Sequence, residues 1–122
     1  MAEKILIIGA NGQIGTELVQ ALREQYDPEQ VIASDIREAN KSLKDKGPFL
    51  KLDTLDKSAI DHIFQKHGIT QVYQLAAVLS ATGEKDPQFA WRLNMEGLLN
   101  ILDLAVQHRL SKVFWPSSIA AF

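Results

Sequence analysis

The spacing of apolar positions along this chain alternates between two periods. Lys4–Ile8 is a near-continuous apolar run, the pattern of a strand buried on both faces. Gln13–Gln25 then carries Ile14, Leu18, Val19 and Leu22 at the spacing of one helix face. Tyr26-Asp27-Pro28 predicts the end of that helix, because a residue before proline disfavours helical angles. Val31–Ser34 reads as a second strand. Arg37–Pro48 is polar, with four lysines or arginines and a Gly47-Pro48 pair, and predicts a loop with room for a short helix. Phe49-Leu50-Lys51-Leu52 is a third, shorter strand.

Asp53-Thr54-Leu55-Asp56 offers cap-forming residues ahead of a helix over Lys57–His67, with Ile60, Ile63 and Phe64 inward. Gly68 suits the left-handed position just past its end. Val72–Leu75 predicts a fourth strand. After a loop over Ala76–Lys85, a long helix from about Pro87 to His108 carries the apolar stripe Phe89, Leu93, Leu98, Ile101, Leu102 and Ala105. Val113-Phe114-Trp115 is a fifth strand. Strand alternating with helix predicts an α/β fold, a doubly wound parallel sheet in the order 3-2-1-4-5. Its ligand crevice is expected at the carboxyl ends of strands 1 and 4, where the chain switches direction across the sheet.

Candidate chemistry concentrates at those strand ends. The first strand feeds Gly9-Ala10-Asn11-Gly12-Gln13-Ile14-Gly15, and this turn opens directly into the first helix. Such an arrangement aims backbone N–H groups and the positive end of a helix dipole at an anion. In Gly9-x-x-Gly12-x-x-Gly15, Gly9 makes the tight turn, Gly12 lets the backbone approach a pyrophosphate, and Gly15 lets the helix pack closely on the strand. Twenty residues after Gly15, Asp35 ends the second strand, where a carboxylate accepts both ribose hydroxyls of an adenosine. The combination predicts a Rossmann-type dinucleotide-binding unit. A 2′-phosphate would meet like charge at Asp35, which favours NAD over NADP. Arg37 nearby can bind such a phosphate, stack on adenine or stay solvated.

Asp53 has two readings, an acceptor for the adenine amino group or an N-terminal helix cap. Leu75-Ala76-Ala77 ends the fourth strand in small and apolar residues, against which phosphates and ribose can lie. Ser80 follows in a polar loop, Ser80-Ala81-Thr82-Gly83, that could reach a substrate. Asn94 interrupts an apolar helical face, so its amide is expected to be buried and hydrogen-bonded. Ser117-Ser118 follow the fifth strand at the same sheet edge and read either as a turn or as hydroxyls donating to a substrate oxygen. The histidines read as structural: His67 and His108 near helix C-termini, and His62 on a polar face, with no metal-ligand spacing. Tyr73 and Trp115 are expected to pack in or beside the sheet.

Composition narrows this further. The 122 residues suit one domain, and 46% hydrophobic with 23% charged residues is ordinary for a globular protein. A formal net charge of -2 provides no basic field, which argues against nucleic acid as a partner. The absence of cysteine excludes disulfides, thiolate metal sites and a cysteine nucleophile. Met1-Ala2-Glu3-Lys4 reads as neither a signal peptide nor a membrane span, so the expected location is cytoplasmic.

Together the glycine turn, Asp35, Asp53-Thr54-Leu55, Leu75-Ala76-Ala77, Asn94 and Ser117-Ser118 resemble the extended short-chain dehydrogenase/reductase family along the whole chain. Ala77-Val78-Leu79-Ser80-Ala81-Thr82-Gly83-Glu84 with Ala90-Trp91-Arg92-Leu93-Asn94 is most similar to its NAD-dependent L-threonine 3-dehydrogenase branch. Nucleotide-sugar epimerases share the turn and the serine strand but often carry histidine where Gln74 stands. The resemblance implies a bound NAD, L-threonine as the small-molecule substrate and 2-amino-3-ketobutyrate as its product. It also implies that Ser118, with Ser117 beside it, orients the substrate oxygen.

The family's Tyr-x-x-x-Lys pair is missing: Tyr26 is followed by Gln30, and Tyr73 by Ala77. A tyrosine near pKa 10 needs that lysine to act near neutral pH. The chain is therefore expected to be the NAD-binding portion of such a threonine dehydrogenase, without the substrate lobe and inactive alone; the alternatives are the same portion of a nucleotide-sugar epimerase/dehydratase, or a noncatalytic NAD-binding module. The apolar edge at Val113-Phe114-Trp115 is expected to be covered by a homo-oligomer partner or by a C-terminal half.

Overall fold

The computed structural model describes residues 3–41, 43, 46–76 and 87–115. Five strands, β1 (Ile5–Ile8), β2 (Val31–Asp35), β3 (Phe49–Lys51), β4 (Gln71–Gln74) and β5 (Lys112–Phe114), form one sheet in the order β3-β2-β1-β4-β5. Every pairing is parallel, with Ile5 opposite Val31 on one side and Gln71 on the other. Helices α1 (Gln13–Gln25), α2 (Lys57–His67) and α3 (Pro87–Gln107) cover the faces. This is the expected Rossmann-type doubly wound sheet.

The alternation of side chains along β1 divides the core. Ile5 and Ile7 pack with Val19 and Leu22 of α1 and with Val31 and Ala33. Leu6 and Ile8 pack on the other face with Ile60, Ile63 and Phe64 of α2 and Ile101 and Leu104 of α3. Burying such a side chain is worth about 1.5–3 kcal/mol of transfer free energy, so the central strand tolerates polar substitution least. Leu43, from the polar stretch after β2, is 1% exposed and joins the α1-side core.

Two helices keep most of their expected inward faces and depart from them at three residues. Ile14 is 71% exposed; α1 docks through the expected Val19 and Leu22, with Leu18 packed beside them, and through Gly15. An added Cβ at Gly15 would strike the carbonyl oxygen of Gly9, so only a glycine lets the helix lie this close. In α3 the inward residues include Ala90, Leu98, Ile101, Leu104 and Ala105, whereas Phe89 and Leu102 face outward. The cause is again a glycine: an added Cβ at Gly97 would lie 2.6 Å from Thr54 Oγ1, so the helix turns its smallest residue to the contact.

The helix ends are defined by local chemistry. Tyr26 closes α1, as Tyr26-Asp27-Pro28 implied, and Pro28–Gln30 adds a single 3-10 turn. Asp56, not Asp53, caps α2, accepting from the Ala59 N–H at 3.1 Å, and this overturns the cap reading of Asp53. Gly68 takes the left-handed position after α2 at φ 62°. The matching position after α3 is held by Arg109, at φ 56°. His108 ties α3 to α2, meeting Asp61 Oδ1 at 2.6 Å and the Phe64 ring edge-on. Tyr73 packs against Phe114 with ring centroids 5.5 Å apart, beside the sheet as expected. No helix among the described residues is long and apolar enough to cross a membrane.

Candidate functional site

The loops leaving the carboxyl ends of β1, β2 and β4 surround a crevice of about 600 Å³, within the range of small-molecule sites. It lies where the chain switches from the β2 side of the sheet to the β4 side, as the topology requires.

The glycine turn forms one wall. Gly9 sits at φ 90°, and an added Cβ would lie 2.6 Å from the Ala76 N atom, so both backbone angle and space demand glycine. Its N–H and that of Ala10 both donate to the Ser34 carbonyl at 2.9 Å, fixing the turn to the end of β2. Gly12 differs. Its φ is −67°, and the nearest atom to an added Cβ is Gly9 O at 3.6 Å, an ordinary contact. The fold itself does not require glycine there; its missing side chain leaves the backbone open to the crevice. Gly12 also begins α1 without a side-chain cap, and no acidic residue lies in the first turn. Such a helix end favours an anion.

Asp35 supplies the crevice with a carboxylate that is 8% exposed. Asn11 N–H donates to Oδ2 at 3.1 Å and Arg37 N–H to Oδ1 at 3.2 Å. One main-chain donor thus holds each oxygen, and each oxygen keeps acceptor capacity for a ligand. This geometry fits the paired hydroxyls of a ribose.

Beside Asp35 runs the segment after β3, whose Leu52 N–H donates to the Asp35 carbonyl at 2.9 Å. Asp53 Oδ1 accepts from the Leu55 N–H at 3.0 Å in a turn, and its carboxylate lies exposed on the crevice lining. Thr54 presents its carbonyl to Asn100 Nδ2 at 2.9 Å, which anchors this rim to α3. Gln74, only 3% exposed, accepts from the Ala76 N–H at 3.3 Å and shapes the floor.

Of the residues singled out from sequence, Gly9, Gly12, Asp35, Arg37, Asp53, Thr54, Leu55, Leu75, Ala76 and Asn94 line this one crevice. Asn94 is half-buried rather than buried. Gln13 and Ile14 are exposed in the first turn of α1, and Gly15 is buried beneath the turn. The side chain of Asn11 points to the segment after β2, not into the cavity. Ala77, Ser80, Ser117 and Ser118 lie outside the described residues. Sequence reasoning missed Ile36, Leu52 and Leu93 as lining residues. Ile36, 62% exposed directly after Asp35, was detectable as an apolar residue at a strand end with no core to enter.

Comparison with known proteins agrees with this geometry. The NAD dependent epimerase/dehydratase family matches residues 5–122. An uncharacterized epimerase/dehydratase of Staphylococcus saprophyticus is 48% identical over 121 residues, 98% of this chain and 38% of that protein. Among solved structures, a GalE-like L-threonine dehydrogenase from Cupriavidus necator, in its holo form, is 55% identical with a TM-score of 0.88, covering 98% of this chain and 38% of that one. The UDP-glucose 4-epimerase of Thermotoga maritima, solved with UDP-glucose, is 27% identical with a TM-score of 0.77, covering 90% and 36%. The chain therefore spans little more than a third of the length of each of these relatives. The family's cofactor is NAD, and the turn and carboxylate described above are of the kind that holds it. With its whole sheet matched from β1 onward, the chain belongs to the NAD dependent epimerase/dehydratase family.

Proposed function

We propose that this chain is the NAD-binding portion of a dehydrogenase acting on L-threonine. The observation that carries the cofactor part is the meeting of Gly12 and the Asp35 carboxylate on one crevice. Gly9 and Gly12 keep the turn free of side chains, and the N–H groups at the start of α1, from Gln13 onward, attract the pyrophosphate. Asp35 accepts the adenosine ribose hydroxyls, while Arg37 flanks the adenine and the carboxylate of Asp53 takes its amino group. Leu75 and Ala76, followed in sequence by Ala77, offer small and apolar residues for the cofactor's phosphates and ribose to lie against, and Asn94 lines the crevice from α3. Bound NAD supplies the hydride acceptor.

Support for L-threonine comes from similarity. Identity is 55% to the Cupriavidus L-threonine dehydrogenase and 27% to the Thermotoga UDP-glucose 4-epimerase. In this reading Ser80 contacts the substrate, and Ser118, beside Ser117, donates to its oxygen. The proton-accepting tyrosine and its lysine lie outside these 122 residues, since neither Tyr26 nor Tyr73 has lysine four positions on. The chain alone then binds NAD without turnover.

A chimera tests the substrate. This chain replaces the corresponding first part of the Cupriavidus enzyme, and the product is assayed with L-threonine and with UDP-sugars. A second chimera joins this chain to the corresponding remainder of the Thermotoga UDP-glucose 4-epimerase. NADH formation with L-threonine by the first chimera, with the second inactive on UDP-sugars, supports the proposal. Interconversion of UDP-sugars by the second, with no NADH from L-threonine by the first, would transfer the chain to the epimerase branch.

A further inference from the structure

Asn11 occupies one of the two non-glycine positions between Gly9 and Gly12, where a side chain could face a ligand. Both of its polar atoms are turned away from the crevice. Nδ2 donates to the Glu38 carbonyl at 2.7 Å, and Oδ1 accepts from the Asn40 N–H at 2.8 Å. Asn40 reciprocates: its Nδ2 donates to the Asn11 carbonyl at 3.3 Å and to Thr16 Oγ1 at 3.0 Å. Its Oδ1 accepts from the Leu43 N–H at 3.0 Å, and Leu43 is buried in the core below. Thr16 in turn donates to the Ala10 carbonyl at 2.9 Å. A closed ring of hydrogen bonds thus joins the start of α1 to the segment that follows β2.

That ring matters because of what it spans. The Asp35 carboxylate takes one N–H from Asn11, on the turn, and one from Arg37, on the segment. The two donors that orient the carboxylate sit on opposite sides of the joint that Asn11 and Asn40 close. If the joint opens, the donors separate and the carboxylate is free to swing. Ile36 and Arg37, which line the crevice, move with it.

We infer that Asn11 and Asn40 form a latch that presets the adenosine side of the cofactor site, acting as positioning residues for Asp35 rather than as ligand contacts. The inference rests on the NAD reading above. Preorganisation of this kind raises affinity by removing an ordering cost at the moment of binding. It also sharpens the choice between cofactors. A rigidly aimed carboxylate both accepts the ribose hydroxyls of NAD and opposes the 2′-phosphate of NADP, whereas a loose one does neither well.

Calorimetric titration of the 122-residue chain with NAD and with NADP provides the test, applied to Asn11→Ala, Asn40→Ala and the double variant, with a thermal melt of each. Each single variant is expected to weaken NAD binding about tenfold and NADP binding less than about twofold. The double variant is expected to be no worse than the weaker single one, because both side chains act through one joint. Unchanged NAD affinity in both single variants would overturn the latch. So would an equal loss of NAD and NADP affinity with a lowered Tm, which is the signature of general fold support. Failure of the unaltered chain to bind NAD is a different result: it overturns the cofactor reading, and the latch with it.

Discussion

Gly9 and Gly12 stand three positions apart in one turn, yet the chain needs them for different reasons. Gly9 combines φ 90° with an added-Cβ distance of 2.6 Å to Ala76 N. Gly9→Ala is therefore expected to destabilise the fold by about 3 kcal/mol, the sum of a forbidden backbone angle and an overpacked contact. Urea denaturation would show it as a lowered midpoint. Gly12→Ala meets nothing closer than 3.6 Å at an ordinary φ, so its stability should change by less than about 0.5 kcal/mol. Its NAD affinity should nevertheless fall, because the new methyl group occupies the space left for the ligand. A Gly12→Ala protein that binds NAD normally would remove the turn from the cofactor site.

At the scale of elements, the ends of α2 and α3 pose a matched pair. Gly68 holds a left-handed φ of 62° with nothing near its absent side chain, and Arg109 holds φ 56° with a side chain attached. Gly68→Ala should cost about 1 kcal/mol, and Arg109→Gly should gain about 0.5–1 kcal/mol, as the left-handed penalty is imposed or relieved. Opposite shifts in the denaturation midpoint would verify both. The elements themselves were legible in the sequence, since unbroken apolar runs such as Ile5–Ile8 admit few alternatives in an alternating α/β pattern. The inward faces of the helices were legible only in part: Val19, Leu22, Leu98, Ile101 and Ala105 are buried as their spacing implied. Apolar periodicity favoured Ile14, Phe89 and Leu102 as inward residues, whereas close approach at Gly15 and Gly97 decides the matter. That contact is tertiary, and a stripe drawn on one helix contains no information about its partner. The same limit applied to the site: Asp35 and the glycines announced themselves by spacing, but the ties of Asn11 run to residues almost thirty positions away.

Across the whole molecule, the end of the sheet opposite the crevice holds polar side chains that respond to acid. Gln71 Nε2 donates to Glu3 Oε1 at 2.7 Å and the Thr70 hydroxyl to Oε2 at 3.1 Å, and these bonds hold the Glu3 carboxyl below its ordinary range. His67, close to this end, is also lowered, first by burial and then by the charges of Lys66, Lys4 and His62. Both shifts act in the same direction. The His67 contribution is complete above an ordinary histidine value of about 6.5 and is lost as pH falls through its lower folded value. The Glu3 contribution is complete above about 4.3 and is lost as pH falls through its own lower value. Tm should therefore hold steady above neutrality and decline in two stages on acidification. Glu3→Gln should flatten the lower stage and His67→Asn the upper.

Arg23, at the end of α1, donates through Nε and Nη2 to the Val31 carbonyl at 3.2 and 3.0 Å, and through Nη2 to the Pro48 carbonyl at 2.7 Å. Burial pulls its guanidinium below the usual arginine range, and Gly47 passes so close that an added Cβ would lie 2.6 Å from Cζ. Among the described residues between β2 and β3, Pro48 is thus held by Arg23, Leu43 is plugged into the core and Asn40 is fastened to α1 through Thr16. The amides of Asn40 and Leu43, each donating to an asparagine oxygen, should resist hydrogen exchange as the amides of the sheet do. Through Val31, a cation at the foot of α1 grips one end of the strand whose other end carries the crevice carboxylate.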